Sequence, residues 1–151
     1  MMELVTQKDV KVAASMSKDS ALAISIYKWE SIIVNGPIEY VRASDANEIG
    51  TGIEWCGLCM YKLLHGDFKC PLSESCHSRT FECCTEWSMC NVALRSVRKI
   101  VHCVQNANSM LLPKNQQPVD KDKHIINTWE NAQVAIEVLL NLMKVMEFDA
   151  A

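Results

Sequence analysis

The sequence has no long apolar run, no basic excess and no complete catalytic signature. No stretch approaches the roughly 20 apolar residues that a bilayer-spanning helix needs, so no membrane span is expected. The formal charge of −3, from 15 Lys and Arg against 18 Asp and Glu, weighs against nucleic-acid binding, which usually brings a basic surplus. Met1 to Val10 alternates polar and charged residues and lacks the apolar core of a signal peptide. A cytoplasmic location is therefore expected, where thiols stay reduced. What remains is a chain of 151 residues with 49% apolar side chains, enough for one folded domain with a real core.

Apolar periodicity places most of that chain in helices. Leu22, Ile26, Trp29 and Ile33 recur at 4-3-4 spacing and predict a helix over 19–34, ended by Asn35-Gly36-Pro37. The preceding residues, with Val5, Val10 and Val12, fit either a short helix or a loose arm over 1–18. Residues 37–50 lack useful periodicity and read as a loop. Thr51 and Glu54 make a capping-box pattern that predicts a second helix, closed near His65-Gly66. Trp87, Cys90, Leu94, Val97, Val101, Val104, Asn108 and Leu111 form a long third stripe, stopped by Pro113. A polar linker over 114–123 leads to a fourth stripe of Ile125, Trp129, Ala132, Ile136, Leu139, Met143 and Met146. Two such stripes joined by a polar turn predict an antiparallel helical hairpin over 86–147. Val134, Val138, Leu140 and Leu142 widen the last stripe, which favours burial on more than one side and raises a homodimer as an alternative to plain core packing. The expected fold is thus a mainly α single domain over 1–151, with a cysteine-rich segment over 51–90 braced on the hairpin.

That segment carries the most specific signal. Seven of the eight cysteines (Cys56, Cys59, Cys70, Cys76, Cys83, Cys84 and Cys90) lie in it, and only Cys103 lies outside. Cytosolic thiols at CxxC spacing are more often metal ligands or redox groups than structural disulfides. Structural zinc needs four thiolates or imidazoles in a tetrahedron. Cys56, Cys59, Cys70 and Cys76 are the expected set, with His77, Cys83 or Cys84 as substitutes for Cys76. An iron–sulfur cluster is the alternative occupant of four thiolates, and ordinary reduced core cysteines are the plainer reading. Cys90 and Cys103 fall on helix faces and are expected in the core. A thioredoxin-type role needs the CxxC at the start of a helix that follows a strand. With no strand before it and the pair expected a full turn inside its helix, that reading is set aside.

Other patterns are weaker. Ser15-Met16-Ser17-Lys18 matches SxxK without its companion motifs. Arg95, Arg98 and Lys99, with Lys62, are either a solvated face or phosphate contacts. His65 fits a dipole-complementing helix end, and His102 and His124 have no visible acid partner. Trp55, Phe68 and Phe81 are expected to wall the cysteine knot.

The order Ala21 to Ile32 (Ala-Leu-Ala-Ile-Ser-Ile-Tyr-Lys-Trp-Glu-Ser-Ile), then Cys56-Gly57-Leu58-Cys59, Cys70-Pro71-Leu72, Cys76 and Thr80-Phe81 resembles a family of small uncharacterised bacteriophage proteins. In that family a lysine-tryptophan helix precedes a CxLC pair, a CxxCP knot, a further cysteine and a TPY-like stretch before a tryptophan, a position Trp87 fits. Asp67 stands where the first knot cysteine would be, and no proline separates Thr80 from Phe81, so no ligand set carries over. The resemblance implies a phage origin and action in the cytoplasm of an infected bacterium. It implies no activity. Small phage proteins without catalytic motifs often work by stoichiometric binding. The expected function is accordingly a non-enzymatic binding protein acting on a host defence protein or its small signalling molecule. A zinc-containing nucleic-acid module is the alternative, and a metal-dependent enzyme with an open coordination position is a further one.

Overall fold

A computed structural model describes residues 3–49, 56–66, 85–109 and 121–145. The regular elements among them are all helices: α1 (Gln7–Met16), α2 (Lys18–Asp45), α3 (Gly57–His65), α4 (Thr85–Ser109) and α5 (Lys121–Lys144). None of these is long and apolar enough to cross a membrane. The mainly α architecture matches the expectation from periodicity.

The N-terminal residues resolve in favour of a helix. Thr6 and Asp9 close a reciprocal capping box, with the Asp9 N–H donating to the Thr6 hydroxyl and the Thr6 N–H donating to the Asp9 carboxylate. Val5, Val10 and Ala14 are buried, whereas Val12 faces outward. A single extended residue, Ser17, then turns the chain and caps α2 through the Ser20 N–H.

The first predicted helix is longer than its stop signal suggests. Gly36 leaves the helical region at φ 86° and ψ 177°, as expected, but Pro37 restarts the helix and carries it to Asp45. Proline suits a first helical position because its φ is already helical and no N–H is needed there. The expected loop over 37–50 is therefore helical in its first half, and it buries Tyr40, Val41 and Ala43. The buried face of α2 is also rotated from the predicted stripe. Ala21, Ser25, Lys28, Trp29, Ser31 and Ile32 are buried, while Leu22, Ile26 and Ile33 are half-buried at the margin.

α2 is shared by two groups of helices. On one side it packs with α1 and α3, and on the other with α4 and α5. Trp29 meets Trp87 edge-on near the start of α4, and Glu30 pairs with Lys144 at the end of α5. Opposite ends of α4 and α5 thus lie at one level of α2, which makes them an antiparallel hairpin. Its seam buries Leu94, Val97, Val101, Ala132, Ile136, Leu139 and Met143. The extra apolar residues of α5 divide: Leu140 is buried, but Val134, Val138 and Leu142 are exposed. α5 is thus covered by α4 and by α2, and the face that carries Val134, Val138 and Leu142 is left exposed among the described residues. Asn108 is in α4, but its side chain, like Leu111 and Met146, lies outside the described residues.

Candidate functional site around Cys56 and Cys59

α3 has its N-cap five residues later than its capping-box pattern predicts. Thr51 and Glu54 lie outside the described residues, and the helix that follows starts at Gly57, with Cys56 as its extended N-cap (φ −100°, ψ 120°). The cap comes from another helix. The Gly57 N–H donates to the Ser25 hydroxyl at 3.0 Å, and that hydroxyl donates to the Ala21 carbonyl at 3.0 Å. The approach is close enough to require glycine: a Cβ on Gly57 would collide with the Ala21 carbonyl oxygen and sit 2.7 Å from Ser25 Oγ. Gly57, Leu58 and Met60 are buried against the core. At the other end His65 stacks on Tyr61, and its Nε2 sits 3.3 Å from the Ala14 carbonyl oxygen, tying α3 to the end of α1.

This placement puts the CxxC in the first turn, with Cys56 at the N-cap and Cys59 at the third helical position. The expected position a full turn inside the helix is overturned. Cys56 is only 4% exposed, whereas Cys59 is half-buried. The Cys59 thiol is hydrogen-bonded to the Cys56 sulfur, which lowers the Cys56 pKa to about 7. Burial opposes that shift. The Cys59 N–H, the Lys28 ammonium and the Leu58 N–H add to it. The two N–H groups act through their dipoles, since no capping hydrogen bond of full geometry reaches the Cys56 side chain.

Lys28 is the residue sequence reasoning passed over. It is 1% exposed, with its ammonium 4.9 Å from the Trp87 ring centre and 5.5 Å from that of Trp29. Aromatic faces attract a cation, and more strongly when water is excluded. The signal was present as a lysine one position before Trp29, in register with Ala21, Ser25 and Ile32. The conventional apolar stripe drew attention to the neighbouring face instead. Ser25 and Gly57 left no comparable signal, because their pairing joins positions far apart in the chain.

Of the expected zinc ligands, Cys56 and Cys59 are brought together. Cys70 and Cys76, together with His77, Cys83, Cys84, Trp55, Phe68 and Phe81, lie outside the described residues. Among the described residues no three His, Cys, Asp or Glu side chains cluster as a metal site. Cys56 and Cys59 could give two thiolates to a metal completed from elsewhere, or act as a dithiol. Cys90 is in the core as expected, and burial pushes its thiol up to about 12. Cys103 is exposed, contrary to expectation, because it lies off the α4 seam.

The remaining candidates separate. Asp45 at the end of α2 pairs with Arg98 at 2.8 Å and with His102 at 3.1 Å. His102 therefore has an acid partner, which its sequence neighbours could not reveal. The same contact occupies one member of the basic cluster, while Arg95 and Lys99 remain exposed. The Ser15 hydroxyl donates to the Val12 carbonyl, a local helical contact. No protein-family model matches the sequence, and comparison with curated proteins and solved structures finds no match either.

Proposed function

We propose that the protein is a non-enzymatic binding protein that acts inside an infected bacterium on a host component, either a defence protein or the small signalling molecule such a protein uses. One observation carries the binding reading. Val134, Val138 and Leu142 lie on the outer face of α5 and Val145 follows directly after its end, with Val134 62% and Val138 50% exposed. They recur at helical spacing on an element whose opposite face is locked into the hairpin seam. A contiguous apolar row on a rigid scaffold is the usual form of a contact surface. The bacterial setting rests on the resemblance over Ala21 to Trp87.

The test is titration into an extract of the host carrying an active defence system. Inhibition should saturate near one chain per target site. V134E/V138E should abolish inhibition with an unchanged melting temperature, since surface changes away from packing usually alter stability by less than about 0.5 kcal/mol. Complete inhibition at trace ratios would indicate turnover and sink the binding reading.

A further inference from the structure

We infer that the outer face of α5 pairs antiparallel with α5 of a second copy of the chain. The protein then rests as a symmetric dimer, and its interface masks the surface given above to the target. The masking rests on the binding reading; the pairing itself does not.

The pattern lies on the side of α5 turned away from the hairpin seam. Asn127, Asn131, Val134, Val138, Asn141 and Val145 are all exposed, and they follow one another at 4-3-4-3-4 spacing. This is the seam of a coiled coil, which repeats about every 3.5 residues. It stands opposite Trp129, Ile136 and Met143, which recur every seven residues and are buried in the chain's own core. One helix thus carries two usable faces, and the described residues cover only one of them.

The order of residues in the open seam fits a second copy. Its inner four positions read the same in both directions about Ile136. Val134 and Val138 stand two residues to either side, and Asn131 and Asn141 stand five. The outer positions, Asn127 and Val145, are each nine away. A twofold axis at Ile136 therefore sets Val134 of one copy against Val138 of the other, and Asn131 against Asn141. The valines bury each other at the centre, and the two amides can exchange hydrogen bonds. A slipped register would set asparagine against valine and leave buried amide groups unmet, which is costly. Polar residues in such seams fix register and partner number in this way.

The edge of the seam selects the antiparallel direction. Glu130, Glu137 and Lys144 lie exposed along one edge, again seven apart. In an antiparallel pair like edges face each other. Glu130 of each copy then comes nearly level with Lys144 of the other, and Glu137 meets its counterpart near the axis. Two opposite-charge pairs outweigh one like-charge pair. A parallel pair would turn this edge toward Ala135 and Leu142 and gain neither. Lys144 also pairs with Glu30 of its own chain at 3.1 Å, so the contact would join α2 and both copies of α5. One helix against another buries less than the roughly 1,200–2,000 Å² of a stable interface. The dimer should therefore dissociate readily, as a masked binding surface requires.

The test uses the full chain, kept reduced so that the exposed Cys103 forms no cross-link. Sedimentation velocity over a dilution series should show a monomer–dimer equilibrium. V134E/V138E should weaken the dimer at least about 30-fold, the loss expected at a central hot spot, with unchanged helical circular dichroism. Glu137→Gln should tighten it about twofold at low salt by removing the like-charge pair. Glu130→Lys and Lys144→Glu should each weaken it. An equimolar mixture of those two variants should re-form it as a heterodimer, because both edge contacts then join opposite charges. A chain that stays monomeric up to about 1 mM, where even weak complexes register, overturns the pairing. A dimer untouched by V134E/V138E, or a mixture that fails to re-form one, also overturns it. In host extract Glu130→Lys, which loosens the dimer and keeps the apolar row, should inhibit at lower dose than wild type; a higher dose would overturn the masking. Sedimentation needs no target, so its failure leaves the binding reading standing, and failed inhibition by the wild type leaves the pairing standing.

Discussion

Replacing Gly57 with alanine should destabilise the protein even though alanine is the better helix former. The added Cβ would collide with the Ala21 carbonyl oxygen and lie 2.7 Å from Ser25 Oγ and 2.8 Å from Ile24 Cγ2. Backbone cannot rotate aside as a side chain can, so α3 must lift from α2. Overpacking of this kind costs about 1–3 kcal/mol. Lifting α3 also stretches the hydrogen bond from the Gly57 N–H to Ser25, and an unmade buried hydrogen bond costs about 1–3 kcal/mol. Against this stands a gain of at most about 1 kcal/mol from the Gly-to-Ala helix preference. The net loss should be about 2–4 kcal/mol, a fall in melting temperature of about 5–15 °C for a chain of this size. Urea unfolding of the wild type, Ser25→Ala, Gly57→Ala and the double variant would measure it. The two changes disturb the same contact, so the double variant should lose less than the sum. A Gly57→Ala protein within about 0.5 kcal/mol of wild type would refute the close docking of α3 on α2.

Ile136→Ala, at a fully buried position of the hairpin seam, should cost about 2–5 kcal/mol by urea unfolding; a loss below about 0.5 kcal/mol would mean that the seam is not core. Asp45→Asn removes the contact to Arg98 and His102, but these side chains are well exposed, so the loss should stay below about 1 kcal/mol and shrink in high salt. In thiol labelling of native protein at pH 8, Cys103 should react early. Cys90 should react only after denaturation, because its raised pKa keeps it protonated there and burial keeps reagent away; rapid native labelling at Cys90 would contradict its place in the core. If a metal completes the cysteine set, elemental analysis should give about one zinc per chain and Cys59→Ser should lower the melting temperature sharply, whereas metal-free protein with unchanged melting would end that expectation.

The hairpin is the most legible part of the sequence because its stripes repeat over many turns, and from Trp87 to Val101 and from Ile125 to Met143 the helices bury what the spacing predicts, with Val104 half-buried at the margin. Legibility fell where local signals met tertiary ones. Asn35-Gly36-Pro37 is a sound stop, yet proline can also open a helix, and the burial of Tyr40 and Val41 favours the second outcome. The start of α3 at Gly57 depends on a hydroxyl supplied by α2, which no local capping pattern reveals. The CxxC was visible at once. Its position at the helix start was not, because that depends on Ser25. Lys28 escaped for a related reason: a lysine reads as surface until the tryptophan faces that receive it, one of them from α4, are placed around it.

The position of α2 between two groups of helices bears on how the protein opens. Among the described helices, the substantial contacts of α1 and α3 are with each other and with α2, and those of α4 and α5 follow the same rule on the other side. A fluctuation that frees α1 and α3 can therefore leave the hairpin and its tryptophan contact to α2 in place. Proteins open in such contiguous cooperative units, each with its own free energy. Amide exchange should accordingly divide the chain into a slow set along α4, α5 and their side of α2, and a faster set along α1 and α3. The cysteine pair belongs to the faster set, so Cys56, closed to solvent in the native state, is reached through a partial opening that spares most of the fold.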